Sequence, residues 1–142
     1  MKLDIRLITP ARYDDAWQVL AELRTDLTRS GFDTALARQA DAHGYELVGA
    51  FEDQLLVGVL GLREVHTFAR GSYLHVDDLV VSANARGQGI GKRLLEHAEA
   101  LARRRGLAQV FLDSRSGAIG FYERLGYRRH ESILVKKRLD QT

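Results

Sequence analysis

The sequence predicts an α+β domain: a mixed, mostly antiparallel sheet flanked by helices, with one βαβ unit at its centre. Three observations predict it. Two strand-like runs, Tyr45 to Phe51 and Leu55 to Glu64, are separated only by Glu52-Asp53-Gln54, which reads as an antiparallel hairpin. Farther on, the apolar residues Ile90, Leu94, Ala98 and Leu101 recur at a helical period. That helix stands between a strand at Tyr73 to Val81 and a short apolar strand at Ala108 to Leu112, the pattern of a crossover between parallel strands.

The remaining elements are read from local pattern. Leu3 to Ile8 alternates apolar and polar residues and reads as an opening strand. After Pro10, the spacing of Tyr13, Ala16, Trp17, Leu20 and Leu23 predicts an amphipathic helix to about Thr28, stopped by Ser30-Gly31. Asp33 then caps a short second helix carrying Leu36 and Ala40, which His43-Gly44 ends. Arg70-Gly71-Ser72 turns the chain into the Tyr73 strand, and Gly106 ends the helix that runs from Gly89 to Arg105. A further helix holds Ala118, Phe121, Tyr122 and Leu125, with Gly126 just past its end. Gly117 and Gly120 cost it about 1 kcal/mol each relative to alanine, so it is expected to start late. A last strand is expected around Ser132 to Leu139.

Composition narrows the function classes. The 142 residues suit one domain spanning 1–142, and 45% apolar residues suit a folded core. No apolar run is long enough to span a bilayer, and the charged start Met1-Lys2-Leu3-Asp4-Ile5-Arg6 lacks a signal segment, so a cytoplasmic protein with no membrane partner is expected. The absence of cysteine removes disulfides, thiolate metal sites and a cysteine nucleophile, and no metal site is expected. The net charge is +2 and the pI about 9.1. Basic residues are scattered among nearly as many acids. Arg103-Arg104-Arg105 reads as a helix end and Lys136-Lys137-Arg138 as strand positions, so no nucleic-acid partner is expected.

The most informative segment is Arg86-Gly87-Gln88-Gly89-Ile90-Gly91-Lys92, between a strand and a helix. Backbone N–H groups at a helix start lack helical partners, glycines admit a ligand close to them, and the helix dipole favours an anion. Spacing separates the candidate motifs. A Walker loop needs Ser or Thr after Gly91-Lys92, where Arg93 stands, and a glycine at Arg86. A dinucleotide fingerprint would begin at Gly87 and Gly89 but meets Lys92 at its last glycine, although Asp113 could imitate the ribose-binding acid. The hairpins before Tyr73 also fail to supply its repeated βαβ units.

Arg86-x-x-Gly89-x-Gly91 fits the Arg/Gln-x-x-Gly-x-Gly/Ala signature, and the segment resembles the GNAT superfamily of N-acetyltransferases. Asp78-Leu79-Val80-Val81 precedes the loop, and Phe121-Tyr122-Glu123-Arg124-Leu125-Gly126-Tyr127 comes after it, in that family's order and spacing. The resemblance is strong from about Tyr73 to Tyr127 and looser toward both ends. It implies a GNAT-like fold in which the strand before the loop and the strand after it splay apart. It implies acetyl-CoA as the cofactor and transfer of an acetyl group to an amine by direct attack in a ternary complex. The loop residues Arg86, Gly87, Gln88, Gly89, Ile90, Gly91 and Lys92 would hold the pyrophosphate, and Leu79, Val80 and Val81 would run beside the pantetheine arm.

The chemistry needs a base, because a lysine-like ammonium has a pKa of about 10.4. Strand alternation would put His75, Asp77, Leu79 and Val81 on one face and Val76, Asp78 and Val80 on the other. Asp77 or His75 is the first candidate for the base and Asp78 the second, with a structural role at a strand bulge as the alternative for Asp78. The resemblance implies that Tyr122 protonates the leaving thiolate, against packing beside Phe121 as the plainer alternative. An N–H near Val81 would polarise the thioester carbonyl. Where the family often has asparagine, three residues before Ala118, this chain has Arg115, flanked by Ser114 and Ser116; Ser114 is a candidate cofactor contact.

The acceptor is an unspecified small-molecule or peptide amine. In the family its pocket is built largely from the first two helices, here Arg12 to Gly44, which offer Trp17, Glu22, Arg24, Asp26, Arg29, Phe32, Asp33 and His43. A homodimer with the C-terminal strand as its contact edge is compatible with the resemblance. The rival reading is a module that binds an acyl-CoA without turning it over.

Overall fold

Two short turns and two helical connections each bring the chain back beside the strand it has just left, so five strands assemble in sequence order. The computed structural model describes residues 2–140. Strands β1 (Leu3–Leu7), β2 (Glu46–Glu52), β3 (Leu55–Thr67), β4 (Gly71–Val81) and β5 (Val110–Leu112) lie in the order β1-β2-β3-β4-β5. The first four pair antiparallel and β5 joins β4 in parallel. The hairpin between β2 and β3 closes on Asp53 and Gln54, both at positive φ (48° and 75°). Such a two-residue turn matches the twist of the strands it joins.

Four helices cover the sheet: α1 (Tyr13–Ala21), α2 (Arg29–His43), α3 (Ile90–Arg104) and α4 (Ile119–Arg124). On one face α3 buries Ile90, Leu94, Leu95 and Ala98 against Leu60, Leu62, Leu74 and Val76. On the other face α1 and α2 bury Ala16, Leu20 and Phe32 against Leu47, Phe51 and Val59. The βαβ unit β4-α3-β5 is the expected one.

Two expectations about the N-terminal helices are corrected. The first helix ends at Ala21, and Ser30 and Gly31 lie inside α2 instead of stopping its predecessor. Thr28, not Asp33, is the cap: its hydroxyl accepts the Gly31 N–H at 3.0 Å. Asp33 instead pairs with Arg29, which also reaches Asp14. Trp17 donates to the Leu27 carbonyl at 2.9 Å and fixes the connecting turn.

The strand expected at Ser132 to Leu139 is absent: residues 128–140 are irregular, and Ile133, Leu134, Val135 and Leu139 are exposed. Ile133-Leu134-Val135 followed by Lys136-Lys137-Arg138 does not alternate, so neither face of such a strand would be consistently apolar. β5 is only three residues long and offers little edge to pair with. The edge named for a homodimer is therefore an irregular, exposed segment.

Two departures from regularity in β4 shape the space beside it. Gly61 faces Asp78 and Leu62 faces Val76, which leaves Asp77 without a partner on β3, a β-bulge. The bulge breaks the alternation read from sequence. Val76 and Leu79 both pack toward α3 while Val80 packs toward α1 and α2, so the expected division of His75 to Val81 between two faces fails. Pairing with β5 covers only Leu74 to Val76, so β4 runs on to Val81 with one edge unpaired. That is the splayed strand pair.

Candidate active site

The glycine loop is shaped to leave backbone amides free. Gly87 and Gly89 sit at φ 82° and 79°, in the left-handed region that favours glycine, and a Cβ on either would meet nothing within 4 Å. Gly89 is the N-cap of α3, and among the described residues no side chain caps that end, so the N–H groups of its first turn stay available. Glu22, at the end of α1, braces the approach. Its carboxylate accepts the Ala83 N–H at 2.9 Å and the Ser82 hydroxyl at 3.1 Å. Arg86 folds back, donating from Nε to the Val81 carbonyl at 3.1 Å. Gly91 lies under Phe121 of α4, whose ring would be 3.3 Å from an added Cβ.

The free edge of β4 begins where pairing with β5 stops. Ser82 donates its N–H to Val57 on β3 at 2.8 Å. Along an antiparallel strand the backbone groups alternate in direction, so Val81 and Leu79 turn their N–H and C=O toward the open side while Val80 turns to Val59. Of the three strand residues expected beside a cofactor arm, Leu79 and Val81 present backbone there and Val80 does not.

At the other end of that edge, a cavity of about 580 Å³ opens between β4, the end of β5 and helices α1 and α2. Asp77 and Asp78 both line it, because the bulge turns two adjacent residues to the same space. Their surroundings differ. Asp78 is spent on structure: one oxygen accepts from Arg24 (Nη2 at 2.9 Å, Nε at 3.1 Å) and the other from the Tyr45 hydroxyl at 2.8 Å. Asp77 accepts from Arg63 Nε at 2.8 Å on Oδ2, and its Oδ1 lies 3.8 Å from His75 Nε2. Burial and the neighbouring carboxylates push the Tyr45 phenol well above its ordinary range, so it stays a donor to Asp78.

His75 is buried, does not line the cavity, and stands behind the acids. Its Nε2 is 3.5 Å from Asp113 Oδ2, and its Nδ1 has no hydrogen-bond partner among the described residues. Asp113 and Ser114, at the end of β5, line this cavity and also a second one on the α3 face. They form the wall between the two. Tyr122 lines the second cavity, edge-on to Phe121 and Tyr127 with ring centroids 5.1 and 6.0 Å away. Its hydroxyl makes no hydrogen bond among the described residues, and burial raises its pKa, so the phenol keeps its proton at neutral pH. Tyr127, by contrast, donates to Glu99 at 2.9 Å.

Sequence reading missed Tyr45, Gly61 and Arg63. Gly61 stands opposite Asp78, and a Cβ there would lie 1.8 Å from the Tyr45 hydroxyl, so only glycine lets that hydroxyl reach Asp78. An isolated glycine inside a strand pattern marks a close approach, and that signal could have found it. Nothing in the sequence links Arg63 to Asp77, since the pair depends on register. Among the described residues no cluster of three or more metal-ligating side chains occurs, and no helix is long and apolar enough to cross a membrane.

The chain is similar to known acetyltransferases in sequence and fold. Residues 13–127 match the model of the acetyltransferase (GNAT) family. A glucosamine 6-phosphate N-acetyltransferase of Trypanosoma brucei brucei is 38% identical over 78 residues, 54% of this chain and 53% of that protein, so the match spans about half of that relative. A peptidyl-lysine N-acetyltransferase, YjaB, of Salmonella typhimurium is 32% identical over 85% of this chain and 82% of its own. The crystal structure of a Trypanosoma brucei acetyltransferase superposes with a TM-score of 0.79 at 27% identity, covering 99% of this chain and 100% of that one.

Proposed function

Because the chain belongs to the GNAT family of acetyltransferases, we propose that it moves an acetyl group from acetyl-CoA to a primary amine within a ternary complex. One observation carries this reading: a single unpaired strand edge joins a glycine loop with uncapped backbone amides at one end to a carboxylate-lined cavity at the other. When bound, acetyl-CoA supplies an acetyl thioester on a long amide-bearing arm and a pyrophosphate. The residues fit such a group, since the space beside Gly87 and Gly89 is open and the first-turn amides of α3 are uncapped.

In this reading the backbone of Gln88 to Lys92 holds the pyrophosphate, and the outward Val81 N–H and Leu79 carbonyl pair with the arm as a further strand would. The Leu79 N–H, at the Asp77 end of the free edge, is the donor for the acyl carbonyl oxygen. Asp77 takes the ammonium proton, directly or through water, because its Oδ1 is the oxygen of this acid pair to which none of Arg24, Arg63 and Tyr45 donates. His75 stands behind Asp77 as a positioning residue. Tyr122 holds a proton at Oη for the departing sulfur, across the sheet from Asp77. Base and acid on opposite faces meet at the slot that the splay opens.

The relatives act on unlike amines, a sugar phosphate in one case and peptidyl lysine in another, so similarity does not fix the acceptor. The test is calorimetric titration with acetyl-CoA, with thiol release then measured across an amine panel. Micromolar binding and turnover of at least one amine are expected, with Tyr122→Phe lowering kcat by roughly 10²–10⁴ while acetyl-CoA affinity holds. No binding would sink the reading. Binding without any turnover would leave a module that holds an acyl-CoA and does not use it.

A further inference from the structure

The cavity between β4, β5 and the N-terminal helices carries more than a place for an amine. Its floor is apolar, made by Leu20, Leu27, Phe32, Leu36 and Leu47. Its rim carries groups of both signs, and most are already neutralised within the protein. Arg24 is paired with Asp78, and Arg63, behind Asp77, with Asp77. Two groups remain unspent. Asp113 is 83% exposed at its side chain and, among the described residues, pairs only with His75, at 3.5 Å. Arg115, on the same β5–α4 connection, forms no ion pair among the described residues. The one hydrogen bond of its guanidinium there runs across the cavity mouth to the Leu23 carbonyl at 3.2 Å. A guanidinium has five N–H donors, so about four are left for a ligand.

An amine acceptor with no other polar group would leave Arg115 unused, and a polycation would waste the apolar floor. We propose that the acceptor is an α-amino acid with a large apolar side chain: its side chain on the floor, its amino group toward Asp77, and its carboxylate on Arg115. The volume of about 580 Å³ is ample for such a molecule. A planar guanidinium matches a carboxylate in two parallel hydrogen bonds, which makes Arg115 a specificity-determining residue. This assignment rests on the acetyl-transfer reading for its turnover arm but not for its binding arm.

Two measurements test it. Calorimetry or ligand-observed NMR with phenylalanine, without acetyl donor and with coenzyme A present, reads the site directly. Thiol release then compares phenylalanine, phenethylamine and spermidine at saturating acetyl-CoA. Phenylalanine is expected to bind and to exceed phenethylamine in kcat/KM by roughly tenfold or more, with spermidine lowest. Arg115→Gln is expected to raise KM for phenylalanine and bring the ratio of phenylalanine to phenethylamine near one, and Arg115→Lys to restore part of it. Equal or better use of phenethylamine, or an Arg115→Gln ratio that stays put, overturns the inference. So does failure of phenylalanine to bind while acetyl-CoA binds and another amine is acetylated. Loss of acetyl-CoA binding by the wild-type protein would instead defeat the acetyl-transfer reading, and phenylalanine binding would still decide this one.

Discussion

Gly89 and Gly61 are the same residue used for opposite purposes. Around Gly89 a side chain would find empty space, and what matters there is a left-handed backbone that turns amides outward. Around Gly61 a side chain would collide with the Tyr45 hydroxyl, and what matters is the room the missing Cβ gives to a neighbour. The loop leaves the backbone amides at the start of α3 unspent. The sheet centre spends its polar groups on its own neighbours: Asp78 on Arg24 and Tyr45, Tyr45 over Gly61. Binding and stability are therefore separated along one strand, and substitutions should fail in different ways at its two ends.

The largest contrast is expected at the loop. Gly89→Glu should abolish measurable acetyl-CoA binding by calorimetry, because it puts an acid against the site for an anion and strains a φ of 79°. Its melting temperature should fall by no more than a few degrees, at about 1 kcal/mol for the strain. A collapse of folding with that variant would mean that the loop is structural after all.

Next comes the packed end. Gly61→Ala should cost about 1–3 kcal/mol by overpacking and lower the melting temperature by several degrees, with acetyl-CoA affinity retained. If it left stability untouched, the Tyr45–Asp78 contact would not be part of the folded core. The smallest effect is expected for Tyr45→Phe, at about 1–2 kcal/mol for a lost hydrogen bond to a charged acceptor. This variant has a further signature with pH. The folded-state pKa of Tyr45 is raised, so the unfolded chain releases the proton first, near pH 10. The contribution of the phenol is fully present below pH 10 and is lost progressively above it. Denaturation curves for wild type and Tyr45→Phe should accordingly converge as pH climbs past 10, and parallel curves there would count against the assignment.

Most of the scaffold was legible because it depends on local pattern. The hairpin at Asp53-Gln54 and the periodic α3 were readable from neighbours in sequence, as was the end of α2 at Gly44, whose φ is 65°. The late start of α4, after a single 3-10 turn at Ser116–Ala118, agrees with the low helix propensity of Gly117 and Gly120. The junction of α1 and α2 was not legible, because Ser30 and Gly31 look like a stop. The cap was decided by the Thr28 hydroxyl, and the turn by Trp17 reaching ten residues ahead. The missing C-terminal strand marks a different limit, since a strand needs a neighbour and three-residue β5 supplies little of one.

At the site the division is sharper. The glycine loop, the acids of β4 and Tyr122 could all be singled out as candidates, because each sits in a motif that spacing can test. Which acid is free was not visible. A one-residue bulge at Asp77 reverses the faces of everything after it and brings Asp77 and Asp78 to one cavity. Arg24, Arg63 and Tyr45 then decide how each is spent.

By itself the sequence determined the fold class, the crossover and a helix start with uncapped amides, since these depend on periodicity and glycine placement within a few residues. Only the tertiary structure decided the splay, the shared cavity and the partners of each charge. Those depend on strand register and on contacts between residues as far apart as Leu23 and Arg115. Local chemistry cannot set such distances, because they are fixed only when the two faces of the sheet are packed.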